Sequence, residues 1–283
     1  MIIRQNNKEK IHKELIIEAG RTERHYWKDL WNYRELFYFL AWRDILVRYK
    51  QTAIGIAWAV LRPFLTMVVL TIVFGKLARF PSGSVPYPLL VFAAMLPWQF
   101  FSNSLTECSN SLINNAGLIS KIFFPRLIIP TSSIIVNFLD LLLSGAVLVG
   151  LMIWYDFWPT WRVLTLPLLI LISFAAAMGA GLWISAMNVK YRDFRYVVPF
   201  IVQLGLYISP VGFASSIVPE KWRLFYSLNP MVGVIDGFRW AILGNDVLFH
   251  VQGFMLSMVI VVLLFAGGIS YFRKTERTFA DVI

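Results

Sequence analysis

The chain has 283 residues, of which 58% are hydrophobic and only 15% are charged, and its mean hydropathy is +0.65. Soluble domains carry about 45–50% apolar residues, so this composition excludes an ordinary water-soluble fold. The net charge of +10 would suit a nucleic-acid-binding protein. The basic residues, however, are concentrated in segments on one side of the predicted membrane, as in membrane proteins generally, so we expect no nucleic-acid partner.

Six long stretches of the chain are almost free of charged residues. A helix needs about 20 mostly apolar residues to cross a bilayer core of roughly 30 Å. Only Arg62 interrupts the first stretch and only Asp140 the third. We therefore predict an all-α integral membrane protein with six transmembrane helices, at about residues 53–75, 87–106, 127–155, 163–189, 197–214 and 247–272.

Lysine and arginine are unevenly distributed between the two sides of such a bundle. Nineteen lie in segments that share a side with both termini, and six lie on the other side. The positive-inside rule places the richer side in the cytosol. Residues 1–28 lack the apolar run and cleavage site of a secretory signal, so we expect a multi-pass protein with both termini cytosolic.

The segment before the first span is predicted to lie on the membrane rather than cross it. Residues 29–50 contain no Pro or Gly and mix aromatic with charged side chains, which is typical of an amphipathic helix in the headgroup region. An ordinary linker is the alternative. Residues 1–28 are polar and are predicted to form a cytosolic tail.

Between the fifth and sixth spans, residues 215–245 combine proline and charged residues with short apolar pieces. Pieces of that length suit re-entrant or interfacial helices better than full spans, and irregular backbone at membrane depth needs protein or a watery cavity around it. We predict short re-entrant external helices that form a lid over a pathway, and a solvated loop is the alternative. The candidate lid residues are Asn229, Pro230, Asp236 and Arg239.

The sequence lacks the motifs of common catalytic sites. Gly75-Lys76 is followed by Leu77 and has no earlier glycine at P-loop spacing, and no HExxH or GxSxG motif is present. The single cysteine, Cys108, can form no internal disulfide and has no metal-site spacing. We predict no catalytic residue, no metal and no cofactor on this chain.

Asp140 is the ionisable residue that lies clearly deep in a predicted span. Carriers driven by protons or sodium need several such groups near the midplane, so the sequence favours a transporter that is powered from outside. Asp140 either ties its helix to a neighbour or lines a pathway.

Aromatic residues make up 16% of the chain, and many fall within spans or at their ends. Most are expected to form interfacial belts or to pack between helices, but flat aromatic faces also suit a path for a sugar polymer. The candidates for such a lining, beside Asp140, are Trp58, Phe64, Phe92, Trp98, Phe101, Trp183 and Tyr207.

Several motifs, taken in their order, resemble one family of membrane proteins. They are S-K-I-F-F-P-R-L-I-I-P at 120–130, N-V-K-Y-R-D-F-R at 188–195, Y-I-S-P-V at 207–211, L-N-P-M-V-G-V-I-D-G-F-R at 228–239 and F-A-D-V-I at 279–283. From residue 29 onward the chain resembles the permease subunits of polysaccharide and teichoic-acid ABC exporters, most closely the O-antigen branch. The resemblance implies a homodimeric permease of the bacterial inner membrane that exports undecaprenyl-linked polysaccharide. It also implies two copies of a separate nucleotide-binding ABC ATPase subunit, which would bind ATP and Mg.

The resemblance further assigns two loops to the contact with the ATPase subunit. The residues concerned are Lys121, Phe124 and Arg126 in the first loop and Tyr191, Arg192, Asp193 and Arg195 in the second. The predicted topology puts both loops in the cytosol, where their charges could support docking; anchoring by the positive-inside rule is the alternative. Two alternatives stay open: a permease for a small lipid or drug, and an exporter of capsule or teichoic acid. A polymerase or glycosyltransferase is disfavoured, because the sequence shows no acidic metal or sugar-nucleotide site.

Overall fold

The computed structural model describes residues 22–50, 55–191, 193–244 and 249–279, and every secondary-structure element within these ranges is helical. Most of the predicted tail, Arg192 and the last four residues of F-A-D-V-I lie outside them. The helices are α1 (Thr22–Asn32), α2 (Arg34–Lys50), α3 (Gly55–Leu70), α4 (Tyr87–Asn114), α5 (Ala116–Ile119), α6 (Ile128–Trp154), α7 (Leu166–Lys190), α8 (Phe194–Ile208), α9 (Glu220–Tyr226), α10 (Pro230–Leu243) and α11 (Val251–Thr275). A π-helical segment, Thr71–Leu77, continues α3, and 3₁₀ turns occupy Trp161–Thr165, Ser215–Ile217 and Glu276–Thr278.

The central helix of the bundle is α4, which packs against α6, α7 and α10. Residues 89–98 of α4 are all buried. Its second half replaces these apolar residues with Gln99, Ser102, Asn103, Ser104 and Thr106. The helix therefore has an apolar half inside the protein core and a polar half.

Four helical segments of the described residues are long and apolar enough to cross a membrane, namely Ala57–Leu77, Ile128–Trp154, Trp161–Lys190 and Val251–Thr278. They coincide with four of the six predicted spans. The other two predicted spans correspond to α4 and α8. With 28 residues, α4 is about 42 Å long, but its polar half lowers its hydropathy. With 15 residues, α8 is about 22 Å long, which is shorter than a bilayer core of roughly 30 Å. The count of six spans therefore stays a prediction.

The backbones of α7 and α11 approach each other closely at two glycines. A Cβ atom on Gly268 would lie 2.3 Å from the carbonyl oxygen of Gly179, and one on Gly179 would lie 2.6 Å from the nitrogen of Phe265. Such small-residue contacts are a common way for helices to associate in membranes, because they let the backbones come within van der Waals contact.

Hydrogen bonds join segments that are distant in sequence at both ends of the bundle. At one end, which we call the amino-terminal end, the Tyr26 hydroxyl of α1 lies 3.0 Å from a Glu276 carboxylate oxygen, and the Tyr33 hydroxyl lies 3.3 Å from the Phe123 carbonyl oxygen. At the opposite end, the Tyr87 hydroxyl at the start of α4 donates to the carbonyl of Gly212 over 2.7 Å.

The segment predicted as one interfacial helix, 29–50, is divided between α1 and α2, with a turn at Tyr33. One face of α2 packs against α6. Its other face exposes Tyr38, Phe39 and Trp42 by 68%, 63% and 49%. Exposed aromatic rings beside charged residues are the composition expected of a helix in the headgroup region.

Candidate transport pathway and coupling surface

A cavity of about 670 Å³ lies between α3, α4, α6 and α8, and the last turn of α2 also contributes to its wall. The wall residues of α3, α6 and α8 recur three or four positions apart, so each of these helices turns one face toward the cavity. The uncharged and charged polar residues on these faces include Gln99, Asn103, Thr106, Asn137, Asp140 and Gln203. Most of the polar half of α4 faces this cavity, whereas Ser104 is buried and accepts a hydrogen bond from the Asn137 amide over 3.2 Å.

An ion-pair network crosses one wall of the cavity. The Arg48 guanidinium donates to Asp140 over 2.8 Å, to Glu107 over 2.9 Å and to the side-chain oxygen of Asn137 over 2.9 Å. The Tyr49 hydroxyl also donates to the Asp140 carboxylate. A charge away from bulk water is costly unless it is paired, so this network allows two carboxylates to lie in the wall. Within the described ranges no group of three His, Cys, Asp or Glu side chains is placed to hold a metal ion.

The structure brings three of the eight candidate lining residues together, since Trp58, Trp98 and Asp140 all contribute to the cavity wall. The Phe101 ring packs on Trp98, with centroids 5.8 Å apart, but is not itself part of the wall.

The remaining four candidates lie elsewhere. Phe92 is 1% exposed in the core of α4, and the Trp183 ring stacks on Tyr271 of α11 with centroids 4.7 Å apart. Phe64 and Tyr207 are 38% and 58% exposed outside the cavity wall. A helix-packing role therefore accounts for Phe92 and Trp183.

Sequence reasoning missed most of the polar wall, including Arg48, Glu107 and Gln203. A signal was present in α4, where Gln99, Asn103 and Thr106 recur at helical spacing inside an otherwise apolar stretch. Each of these residues is uncharged, so a search for ionisable groups within spans passes over them. Arg48 was assigned to the interfacial helix, and its long side chain reaches into the wall.

The first predicted coupling loop lies at the amino-terminal end of the bundle. The residues that it exposes differ in part from those predicted to contact the ATPase subunit. Lys121 is exposed, but Phe124 is only 4% exposed, and the Arg126 guanidinium donates to the backbone carbonyl of Glu276. The apolar residues that face outward are Ile122 and Phe123, which are 52% and 55% exposed.

The second predicted coupling loop follows α7. Tyr191 is 54% exposed, and Asp193 and Arg195 are also exposed. The loop lies near the end of α4, because the Asn188 amide donates to the Ser109 carbonyl over 2.9 Å. It therefore offers charged groups at the amino-terminal end, while Arg192 falls outside the described residues.

The four predicted lid residues all belong to the start and body of α10. The side-chain oxygen of Asn229 caps the helix by accepting from the Met231 amide over 3.0 Å, and Pro230 occupies the first helical turn. Both are positions that these residue types favour at helix starts.

Asp236 and Arg239 point into the protein rather than toward an opening. Arg239 is 0% exposed and donates to the carbonyls of Leu90, Phe213 and Val211 over 2.9 to 3.0 Å. Burial raises the pKa of the Asp236 carboxyl to about 6, and the Arg239 guanidinium opposes this rise. Arg239 thus fastens α10 to α4 and to the segment after α8.

Comparison with known proteins gives a consistent family match. Residues 35–243 match the family model described as ABC-2 type transporter. The chain is 31% identical over 260 residues to the O-antigen export system permease protein RfbA of Myxococcus xanthus, covering 90% of this chain and 98% of that protein.

Two further relatives show the range of the similarity. The O-antigen export system permease protein RfbA of Klebsiella pneumoniae is 27% identical, over 85% of this chain and 92% of its own length. The polysialic acid transport protein KpsM of Escherichia coli is 25% identical, over 83% of this chain and 91% of its own length. The similarity therefore extends across almost the whole of each protein.

Proposed function

This chain belongs to the ABC-2 type transporter family, and we propose that it is the permease subunit of an ATP-driven exporter of lipid-linked polysaccharide, with O-antigen as the substrate class. The observation that carries the proposal is the 31% identity to an O-antigen export permease over 98% of that protein's length. Capsule export is the second candidate, because a polysialic acid transport protein is also similar over 91% of its length, but at 25% identity.

The chemistry of the cavity supports a glycan as the transported molecule. Amide, hydroxyl and carboxylate groups can exchange hydrogen bonds with sugar hydroxyls, and the faces of Trp58 and Trp98 offer flat apolar surfaces for the CH faces of sugar rings. A site for a small apolar drug would be lined predominantly by hydrophobic and aromatic side chains. The mixed wall of this cavity favours a sugar over such a drug.

The proposed topology has six spans in the bacterial inner membrane, formed by α3, α4, α6, α7, α8 and α11. The polar half of α4 would be tolerated because it faces the cavity rather than lipid. The excess of nineteen basic residues over six supports a cytosolic amino-terminal end. On this topology α9 and α10 are the short external helices.

The proposed exporter contains two copies of this chain and two copies of a separate ABC ATPase subunit. We expect the second copy to pack against α8. Val198 is the only buried residue of this helix, and its apolar residues Phe200, Ile201 and Leu204 are 60%, 49% and 43% exposed. The ATPase subunit, which would bind ATP and Mg, would contact the two loops at the amino-terminal end. ATP hydrolysis would belong to that subunit, and this chain would form the channel.

Complementation in cells tests the proposal. In a host whose O-antigen permease gene is deleted, we expect this chain, expressed with its co-encoded ATPase, to restore polysaccharide at the cell surface. The matched control is the same pair with an ATPase that cannot hydrolyse ATP, which should accumulate lipid-linked glycan on the cytosolic leaflet of the inner membrane. Surface polysaccharide that appears without the ATPase would refute the proposal, and restoration of capsule but not O-antigen would favour the second candidate.

A further inference from the structure

The first coupling loop, 121–126, is held from two sides. On one side the Tyr33 hydroxyl lies 3.3 Å from the carbonyl oxygen of Phe123. On the other side the Arg126 guanidinium donates to the backbone carbonyl of Glu276 and lies 6.0 Å from the centroid of the Phe279 ring. Phe124 of this loop is buried, whereas its apolar neighbours Ile122 and Phe123 are exposed.

The segment that holds Arg126 is the last turn of the described chain, 276–279, and it is itself packed into the bundle. The Phe279 ring is 1% exposed and meets Phe272 of α11 edge to face, with centroids 5.3 Å apart. Edge-to-face aromatic pairs stabilise a packing geometry beyond the area that they bury. The turn is therefore a defined structure rather than an extension of α11 into solvent.

The same turn also fixes α1. The Tyr26 hydroxyl lies 3.0 Å from a carboxylate oxygen of Glu276, and the Arg273 guanidinium lies 4.5 Å from the centroid of the Tyr26 ring. Burial, followed by the charge of Glu276, raises the pKa of the Tyr26 hydroxyl, so this hydroxyl stays protonated and donates to the carboxylate. One short turn thus contacts α1, α11 and the coupling loop.

We propose that Glu276 and Phe279 are positioning residues for the ATPase contact, because they hold the coupling loop with Ile122 and Phe123 facing outward. This inference rests on the proposed function. A docking loop that is already ordered loses less conformational freedom when the partner binds. The carboxyl-terminal turn therefore raises the affinity for the ATPase subunit without touching that subunit.

The first arm of the test measures the loop in the isolated chain. Cys108 is the only cysteine, so a Cys108→Ala background with Ile122→Cys and Trp154→Cys accepts a spin-label pair at two exposed positions away from α8. We expect a narrow distance distribution that Phe279→Ala broadens, because the packing under Arg126 is lost. Phe279→Tyr should keep the narrow distribution, because it retains an aromatic ring.

The second arm measures the affinity of the ATPase subunit for the unlabelled variants in nanodiscs. We expect Phe279→Ala to weaken binding about tenfold, because it removes the ring that packs on Phe272 and lies under the Arg126 guanidinium, and a tenfold change is within the range of a desolvated cation–π contact. Phe279→Tyr should bind close to wild type. Tyr26→Phe removes a single hydroxyl and should act in the same direction with a smaller effect. The control is Lys274→Gln, which removes an exposed cation one turn away and should change neither readout.

The outcomes separate this inference from the proposed function. A loop distribution or an ATPase affinity that is unchanged in Phe279→Ala overturns the positioning role. Equal weakening by Phe279→Ala and Phe279→Tyr also overturns it, because the ring would then have no role in placing the loop. If the wild-type chain binds no ABC ATPase, the proposed function fails, and the spin-label arm still decides whether the turn positions the loop.

Discussion

Arg48, on the last turn of α2, donates a hydrogen bond to Asp140 in the middle of α6 over 2.8 Å. The two residues are 92 positions apart, and both belong to the wall of the same cavity. Asp140 therefore ties α6 to the segment that precedes the first span and at the same time presents a carboxylate to the cavity. The two roles considered from the sequence are compatible.

Removing this ion pair should destabilise the chain. We expect Asp140→Asn to lower the free energy of unfolding by about 1.5–3 kcal/mol, the range for a hydrogen bond to a charged group, since both side chains are less than one third exposed. Thermal unfolding of the purified chain in detergent measures the change. In a double-mutant cycle with Arg48→Gln, the two effects should be non-additive by at least about 0.5 kcal/mol; strict additivity would show that the pair contributes nothing.

The cavity assignment predicts that Trp58→Ala slows export without loss of folded protein. Trp58 is 57% exposed, so its removal costs little packing. If stacking on the sugar in the transition state is worth as much as an aromatic pair, about 0.5–1.5 kcal/mol, its loss corresponds to a rate about 2- to 10-fold lower. The rate at which polysaccharide reaches the cell surface is the measurement. Trp154→Ala, at a position 82% exposed and outside the cavity wall, is the matched control, and equal slowing by both variants would contradict the assignment.

The sequence predicts the apolar spans well, because length and hydropathy are local properties. Ile128–Trp154 lies within one residue of its predicted bounds, 127–155, at both ends. Val251–Thr278 overlaps the predicted span 247–272 but is displaced by about one helical turn toward the carboxyl terminus. The sequence predicts less well where each side chain lies in the folded bundle. Whether Trp58 faces a cavity or Trp183 packs on Tyr271 depends on the rotation of each helix, and aromatic residues give the same sequence signal in both settings.

Arg239 illustrates the limit most clearly. Its position between short apolar pieces suggested an external lid, but the side chain is fully buried and bonds to three backbone carbonyls. A buried guanidinium with five donors can join several irregular segments at once, and no periodicity in the sequence encodes those partners. The coupling loop shows the same limit, since Phe124 and Arg126 turn inward.

The close approach of α7 and α11 predicts that Gly268→Ala disrupts the bundle. The new Cβ would lie 2.3 Å from the carbonyl oxygen of Gly179, and because that atom is backbone, relief requires the helices to separate. We expect a loss of at least about 2 kcal/mol, measured as a lower unfolding temperature. Gly145→Ala has nothing within 4 Å of the new Cβ and should unfold like wild type; similar behaviour of the two variants would show that the contact is not tight.

Replacing Arg239 should unfold the segment around α10. Arg239→Met keeps most of the side-chain length but leaves three carbonyls without their donor and Asp236 without its nearby cation, a change expected to cost about 3–5 kcal/mol. The yield of monodisperse protein and its unfolding temperature are the measurements. Lys221→Gln, which removes an exposed cation from the neighbouring α9, serves as control, and a stable Arg239→Met variant would refute the anchoring role.

Transport by purified components tests the central claim most directly. The chain and its ABC ATPase subunit would be reconstituted in proteoliposomes with undecaprenyl-linked glycan, and the glycan that crosses the bilayer would be measured by enzymatic digestion from the receiving side. We expect translocation only when the chain, the ATPase subunit and hydrolysable ATP are all present. Translocation without the ATPase, or ATP-dependent movement of a small lipid or drug with no movement of the glycan, would contradict the account.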